Sequence, residues 1–164
     1  MNLVVDSSAL IALARIGRLD LLPQLAETIH VPEGVYKEVT HQGSVRPGIL
    51  ELSQLNWILR RRVSDQASVN ALLSRFGQGE AEAIVLAAEV HADFVILDDA
   101  TARKVAEHKG QAVIGTLGLL IHAKERGLIE RVMPIINELM GSGFYVDSRL
   151  YRTILRQARE GPQA

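Results

Sequence analysis

Two of the clearest apolar runs in the sequence end in aspartate. Leu3-Val4-Val5 runs into Asp6, and Phe94-Val95-Ile96-Leu97 runs into Asp98-Asp99. Such runs read as buried strands. In parallel α/β sheets, sites gather beyond the carboxyl ends of the strands, so two adjacent parallel strands would bring both aspartates to one edge. The plain alternative is helix capping, for which aspartate is favoured. Ser7 or Ser8 can cap the helix after Asp6, which leaves that carboxylate available. After the second run either Asp98 or Asp99 can cap, and both stay candidates.

Glutamates at helical spacing extend the set. Glu38 lies three residues after Val35 and one before Val39, so it borders a buried stripe; pairing with Lys37 is its plain alternative. Glu80 and Glu82 point roughly 200° apart at about 100° per residue. Glu80 shares a face with Ala83, Ile84, Ala87 and Ala88, the small apolar face expected to pack on a sheet. Glu82 shares its face with Glu89, Val85 and Leu86 and is expected toward solvent. Acids in a first helical turn are also favoured by the helix dipole, which accounts for Glu82 and partly for Glu80.

Three or four converging carboxylates repel one another and hold protons unless a cation joins them. Oxygen-only ligation selects Mg²⁺ or Mn²⁺. A zinc site is not expected: there is no cysteine, and His30, His41, His91, His108 and His122 show neither HxH nor HExxH spacing.

The elements that must position these acids alternate between strand and helix. A strand at Leu3–Val5 is followed by a helix ending at Gly17, a helical piece from Leu19 to about Ala26, and a strand at Ile29-His30-Val31. Pro32 suits the first turn of a helix running to about Thr40. A loop is expected from His41 to Pro47, a helix over Ile49–Gln54 and a strand at Trp57-Ile58-Leu59. Ser64 caps a helix through Phe76, Gly77-Gln78-Gly79 breaks the chain, and Glu80 opens an Ala-rich helix to about Val90. The second acid-bearing strand then leads to a helix at Ala100–His108, a strand at Ala112–Ile114 and a helix at Thr116–Arg126. Helices near Arg131–Met140 and Ser148–Arg159 close the sequence, with a short strand expected at Phe144-Tyr145-Val146. The alternation predicts a three-layer α/β/α fold with a central, mainly parallel sheet. One domain over residues 1–160 and a frayed tail over 161–164 are expected.

Composition narrows the function classes. Without cysteine there are no disulfides, thiolate sites or cysteine nucleophiles. The start lacks a basic leader and no uncharged run is long enough to cross a bilayer, so a soluble, cytoplasmic protein is expected. The net charge of −1 argues against a strongly basic nucleic-acid binder. A carboxylate site loaded with metal is still locally positive.

Five segments together resemble the PIN domain, the fold of VapC-type toxin ribonucleases, and closest to them a prokaryotic subfamily with little assigned function. They are Val4-Val5-Asp6-Ser7-Ser8-Ala9-Leu10-Ile11, Val31-Pro32-Glu33-Gly34-Val35-Tyr36-Lys37-Glu38, Gly79-Glu80-Ala81-Glu82-Ala83-Ile84, Val95-Ile96-Leu97-Asp98-Asp99 and Val113-Ile114-Gly115-Thr116-Leu117-Gly118-Leu119-Leu120. The resemblance spans nearly the whole chain and lies in order and spacing rather than in any one motif. It implies four acidic positions, Asp6, Glu38, Glu80 and Asp98, the third from the separation 98 − 80 = 18. The third acid of toxin relatives is usually aspartate, which keeps Glu82 as a rival to Glu80. Their strand end is usually Thr-x-Asp where this chain has Ile-Leu-Asp-Asp, which keeps Asp99 as a rival to Asp98. Ser7 and Thr116 match polar positions that line such sites.

The activity so implied is hydrolysis of phosphodiester bonds in single-stranded RNA. Asp6 and Asp98 would hold a first metal directly, and Glu80 and Glu38 would complete its shell. Arg46, Arg60, Arg61, Arg62 and Arg103 are candidate phosphate contacts. A solvated strand end is the plain reading of the arginine triplet, and an i,i+4 ion pair with Asp99 that of Arg103. A small antitoxin partner, a toxin role and a homodimer also follow from the resemblance. The rival from another class is a non-catalytic PIN-fold module that binds RNA or protein. A phosphoacceptor receiver domain ranks below both, because its acidic pair belongs after the first strand and Asp98-Asp99 comes late.

Overall fold

The computed structural model of the chain describes residues 1–41 and 54–161, apart from the side chain of His41. The expected loop over His41–Pro47 and helix over Ile49–Gln54 fall, except for His41 and Gln54 themselves, outside the described residues, as does Arg46. The described strands are β1 (Asn2–Val5), β2 (Thr28–Pro32), β3 (Ile58–Arg61), β4 (Phe94–Ile96) and β5 (Val113–Ile114). The described helices are α1 (Ser7–Arg15), α2 (Leu21–Leu25), α3 (Glu33–His41), α4 (Gln66–Leu72), α5 (Gln78–Glu89), α6 (Ala100–His108), α7 (Thr116–Glu125), α8 (Met133–Gly141) and α9 (Ser148–Gln157).

All strand pairs are parallel, and the order across the sheet is β3-β2-β1-β4-β5. Strand side chains alternate between faces. Leu3 and Val5 of β1 therefore join a core with α1, α2, α7, α8 and α9. Val4, between them, joins a second core with α4, α5 and α6. This is a three-layer α/β/α arrangement around a parallel sheet. Among the described residues no helix is long and apolar enough to cross a membrane.

From β1 the chain builds outward through β2 and β3, then returns to the other side of β1 with β4. That reversal puts a topological switch point between β1 and β4, where open α/β sheets leave a crevice. Val5 of β1 faces Ile96 of β4, so Asp6 and Asp98 leave adjacent strands at the same edge.

Several boundaries differ from the sequence reading. Asp6 itself caps α1, accepting from the Ala9 N–H at 3.0 Å, so neither Ser7 nor Ser8 takes that role. Asp65, not Ser64, caps α4, which ends at Leu72 rather than Phe76. Pro32 closes β2, and β3 carries Arg60 and Arg61 within its ladder rather than after it. Gln78 and Gly79 belong to α5 instead of preceding it. Phe144–Val146 is not a strand: Gly143, at φ +102°, turns the chain out of α8, and none of the described strands pairs with the segment.

Candidate active site

The site is built from Asp6 outward. The apolar run of β1 carries it into the core at 1% exposure. One carboxylate oxygen holds the cap bond to Ala9, and the other accepts no hydrogen bond from the described residues. Burial pushes its pKa up to about 8, the cap bond opposes this, and the charges of Asp98, Glu80 and Glu38 raise it further. Four acids from four segments of the chain thus act on one another at the switch-point edge.

Asp98 follows β4 and is held by a single partner. Thr116, the fully buried first residue of α7, donates its backbone N–H to one carboxylate oxygen at 2.8 Å and its hydroxyl to the other at 2.6 Å. Burial raises the pKa of Asp98, against the two Thr116 bonds and the Arg103 charge. Gly115 makes this approach possible: a Cβ there would stand 3.0 Å from the Asp98 carboxylate and 2.8 Å from the Arg103 guanidinium. Arg103 thus serves Asp98, and the i,i+4 ion pair with Asp99 is absent among the described residues. Asp99 is exposed and caps α6 through the Ala102 N–H at 2.8 Å. The choice between capping and site is therefore divided: Asp99 caps and Asp98 turns inward. Asp99 still reaches the cluster through charge, since after burial it is the next cause raising the pKa of Glu80, with Glu38 contributing less.

Glu38 and Glu82 form a reciprocal clasp between α3 and α5. Glu38 of α3 accepts from the N–H of Gly79 in α5 at 2.9 Å. Glu82 of α5 accepts from the N–H of Gly34 in α3. A Cβ on either glycine would lie 2.6 Å from the opposing carboxylate oxygen. Glu82 also accepts from Gln78 at 2.7 Å and is 7% exposed. This corrects the expectation that Glu82 faces solvent. Residues 81–87 of α5 are all buried, so the helix has no wet face for Glu82 to occupy. Glu80 is half-buried toward the acids of the cluster. Ser7 opens α1 beside Asp6, and its hydroxyl makes no hydrogen bond among the described residues.

The donor set is all oxygen and suits a hard divalent cation. Asp6 offers one oxygen that accepts no hydrogen bond from the described residues, and a cation beside it would favour its charged form. Among the described residues, no three acids or histidines stand close enough to ligate one ion as they lie. Asp6, Asp98 and Glu38 are held in place by Ala9, Thr116 and Gly79.

Sequence reasoning did not find the glycines. Gly34, Gly79 and Gly115 each stand where a carboxylate meets backbone, and Gly79 and Gly115 directly precede the site positions Glu80 and Thr116. Those adjacent pairs were the available signal.

A three-layer parallel α/β fold with a cluster of acids around the buried Asp6 at its switch point defines the class of protein. The chain belongs to the PIN domain family: the family model described as a PIN domain matches residues 2–160. No curated protein matches it. PIN domains are generally nucleases, and they typically use divalent metals.

Proposed function

We propose that the chain is a Mg²⁺- or Mn²⁺-dependent endoribonuclease acting on single-stranded RNA in the cytoplasm. The observation that carries this is the buried Asp6 carboxyl at the switch point, pushed up to about 8 with Asp98, Glu80 and Glu38 all contributing charge. Asp6 and Asp98 are the direct ligands of this reading, and Glu38 and Glu80 complete the shell. A bound ion would lower the pKa of a water and neutralise charge on the phosphate. Thr116 fixes the direction of Asp98, and Arg103 places a positive charge beside it for a phosphate oxygen. The apolar packing around Asp6 keeps bulk water from competing for its carboxylate.

The test is incubation with varied single-stranded RNAs and Mn²⁺. Cleavage that requires the metal and is lost in Asp6→Asn supports the reading. Cleavage equal in wild type and Asp6→Asn, or none with any RNA, removes it. The VapC-type resemblance extends the proposal to a toxin role with a small antitoxin partner and a homodimer. Growth arrest on expression, relieved by Asp6→Asn, is the result expected for that extension; normal growth would count against it.

A second reading, a non-catalytic PIN module, gains from a specific observation. Both oxygens of Asp98 are occupied by Thr116, and Glu38 is engaged by Gly79. It predicts RNA binding without cleavage and without any effect of Mn²⁺.

A further inference from the structure

A cleft of about 730 Å³ opens beside Asp98. Its lining comes from α1 with Ser8 and Arg15, from α9 with Leu150, and from the segment that carries Tyr145. Arg103 lies on the same lining. We propose that this cleft holds a nucleotide next to the scissile phosphodiester of single-stranded RNA, with its base on Tyr145 and a phosphate on Arg15 and Arg103. The position next to a scissile bond rests on the nuclease reading; the binding itself does not.

Three observations carry the proposal. Tyr145 is 84% exposed, far more than the other exposed large apolar residues among the described ones, and Leu150, at 40%, lines the same cleft. Single exposed apolar residues are ordinary; these two share one concave wall. Second, the charges lining the cleft are Arg15, Arg103 and Asp98. The cleft is therefore locally cationic in a chain of net charge −1, which suits a phosphate. Arg15 gives one long bond, 3.4 Å, to the Ser142 carbonyl and keeps its other donors. Third, the volume falls within the range of about 300–1,000 Å³ typical of sites for small ligands, and Asp98 lines both the cleft and the acid cluster.

The local chain geometry explains why Tyr145 stands free. Gly143 adopts a positive φ that only glycine takes without strain, and the Phe144 N–H bonds back to the Leu139 carbonyl. The chain then runs without helix or strand to Asp147, the cap of α9. An aromatic presented this way stacks on any unpaired base but not on a base inside a duplex.

Binding of short fluorescent RNA, single-stranded or duplex, is measured by anisotropy in EDTA, where metal-dependent cleavage is silent. Stacking is worth about 1–3 kcal/mol per base, so Tyr145→Ala is expected to weaken single-strand binding by about 5- to 150-fold. Tyr145→Phe keeps most of the affinity, Arg15→Gln loses part of it, and Leu73→Ala, just after α4, changes nothing. Duplex binds weakly and ignores Tyr145. Wild-type affinity in both Tyr145→Ala and Arg15→Gln overturns the proposal. So does equal affinity for duplex, or no single-strand binding by the wild type, as expected if the cleft serves an apolar peptide. Mn²⁺-dependent cleavage by wild type and Asp6→Asn is scored separately. No cleavage by the wild type, or cleavage equal in wild type and Asp6→Asn, together with Tyr145-dependent binding sinks only the nuclease reading. Asp6-dependent cleavage with unaltered binding by both Tyr145→Ala and Arg15→Gln sinks only the cleft.

Discussion

Glu38 of α3 rests on the backbone N–H of Gly79, the second residue of α5, at 2.9 Å. The contact requires glycine, because a Cβ would stand 2.6 Å from the carboxylate. Its counterpart, Glu82 on Gly34, ties the same helices in the opposite direction. The clasp sets the start of α5, and with it Glu80, against α3.

Gly79→Ala should therefore do two things. Overpacking is expected to cost about 1–3 kcal/mol in chemical denaturation, and displacement of Glu38 should weaken Mn²⁺ binding. Glu82→Ala leaves the buried Gly34 N–H without its partner and should cost about 1–3 kcal/mol. Its Mn²⁺ affinity should fall less than that of Glu80→Gln. The reverse order would make Glu82, rather than Glu80, the ligand.

The raised pKa of Asp6 predicts a pH dependence of stability for the metal-free protein. Its folded value is about 8 against an ordinary 3.8. Between those values the folded chain holds a proton that the unfolded chain has released. This contribution is thus full below about 4 and is lost as pH rises through about 8. Thermal melts in EDTA should show stability falling over that window, and Asp6→Asn should flatten the fall. Saturating Mn²⁺ should oppose it, since an ion favours the charged carboxylate. A metal-free stability profile identical in wild type and Asp6→Asn would contradict the buried, protonated Asp6.

Thr116→Val keeps the shape of the side chain and removes the hydroxyl that holds Asp98 at 2.6 Å. Partners that orient a ligand typically cost about 10- to 100-fold in metal affinity or activity when removed. A loss of that size is expected in Mn²⁺ titration, with a stability change of about 1 kcal/mol. Unchanged Mn²⁺ affinity would show that Thr116 acts on folding alone.

Glu160 provides a stability test remote from the site. Its nearly buried carboxylate accepts from the N–H groups of Val132 and Met133 at the start of α8, at 2.6 and 2.9 Å, and from Lys124 at 2.7 Å. Burial alone would raise its pKa, but these bonds and the Lys124 charge together hold it low. Its contribution is therefore present above the ordinary carboxylate range and lost as pH falls through the depressed value. Glu160→Gln should destabilise the protein by about 1–3 kcal/mol near neutral pH, and the difference from wild type should shrink in acid. A constant difference at all pH values would contradict the ionised role.

Much of the scaffold was legible because apolar runs and turn signals are local. Leu3–Val5 and Phe94–Ile96 are strands, and their parallel pairing brings Asp6 and Asp98 to one edge. Glu82 was misread because the helical-wheel argument assumes one wet face. Helix α5 is enclosed by the second core together with α3, and its side chains are buried almost all round. Phe144-Tyr145-Val146 has strand-like composition but no partner among the described strands, and no local pattern reveals a missing partner. Capping and a site role are not alternatives for Asp6: one oxygen caps α1 while the other accepts no hydrogen bond from the described residues.

The most direct test of the acid cluster is calorimetric titration of Mn²⁺ into the wild-type protein and into Asp6→Asn and Asp98→Asn. Saturable binding by the wild type, weakened by at least about tenfold in both folded variants, is the predicted result. Absence of wild-type binding, or equal affinity in all three proteins, would contradict a metal centre anchored on Asp6.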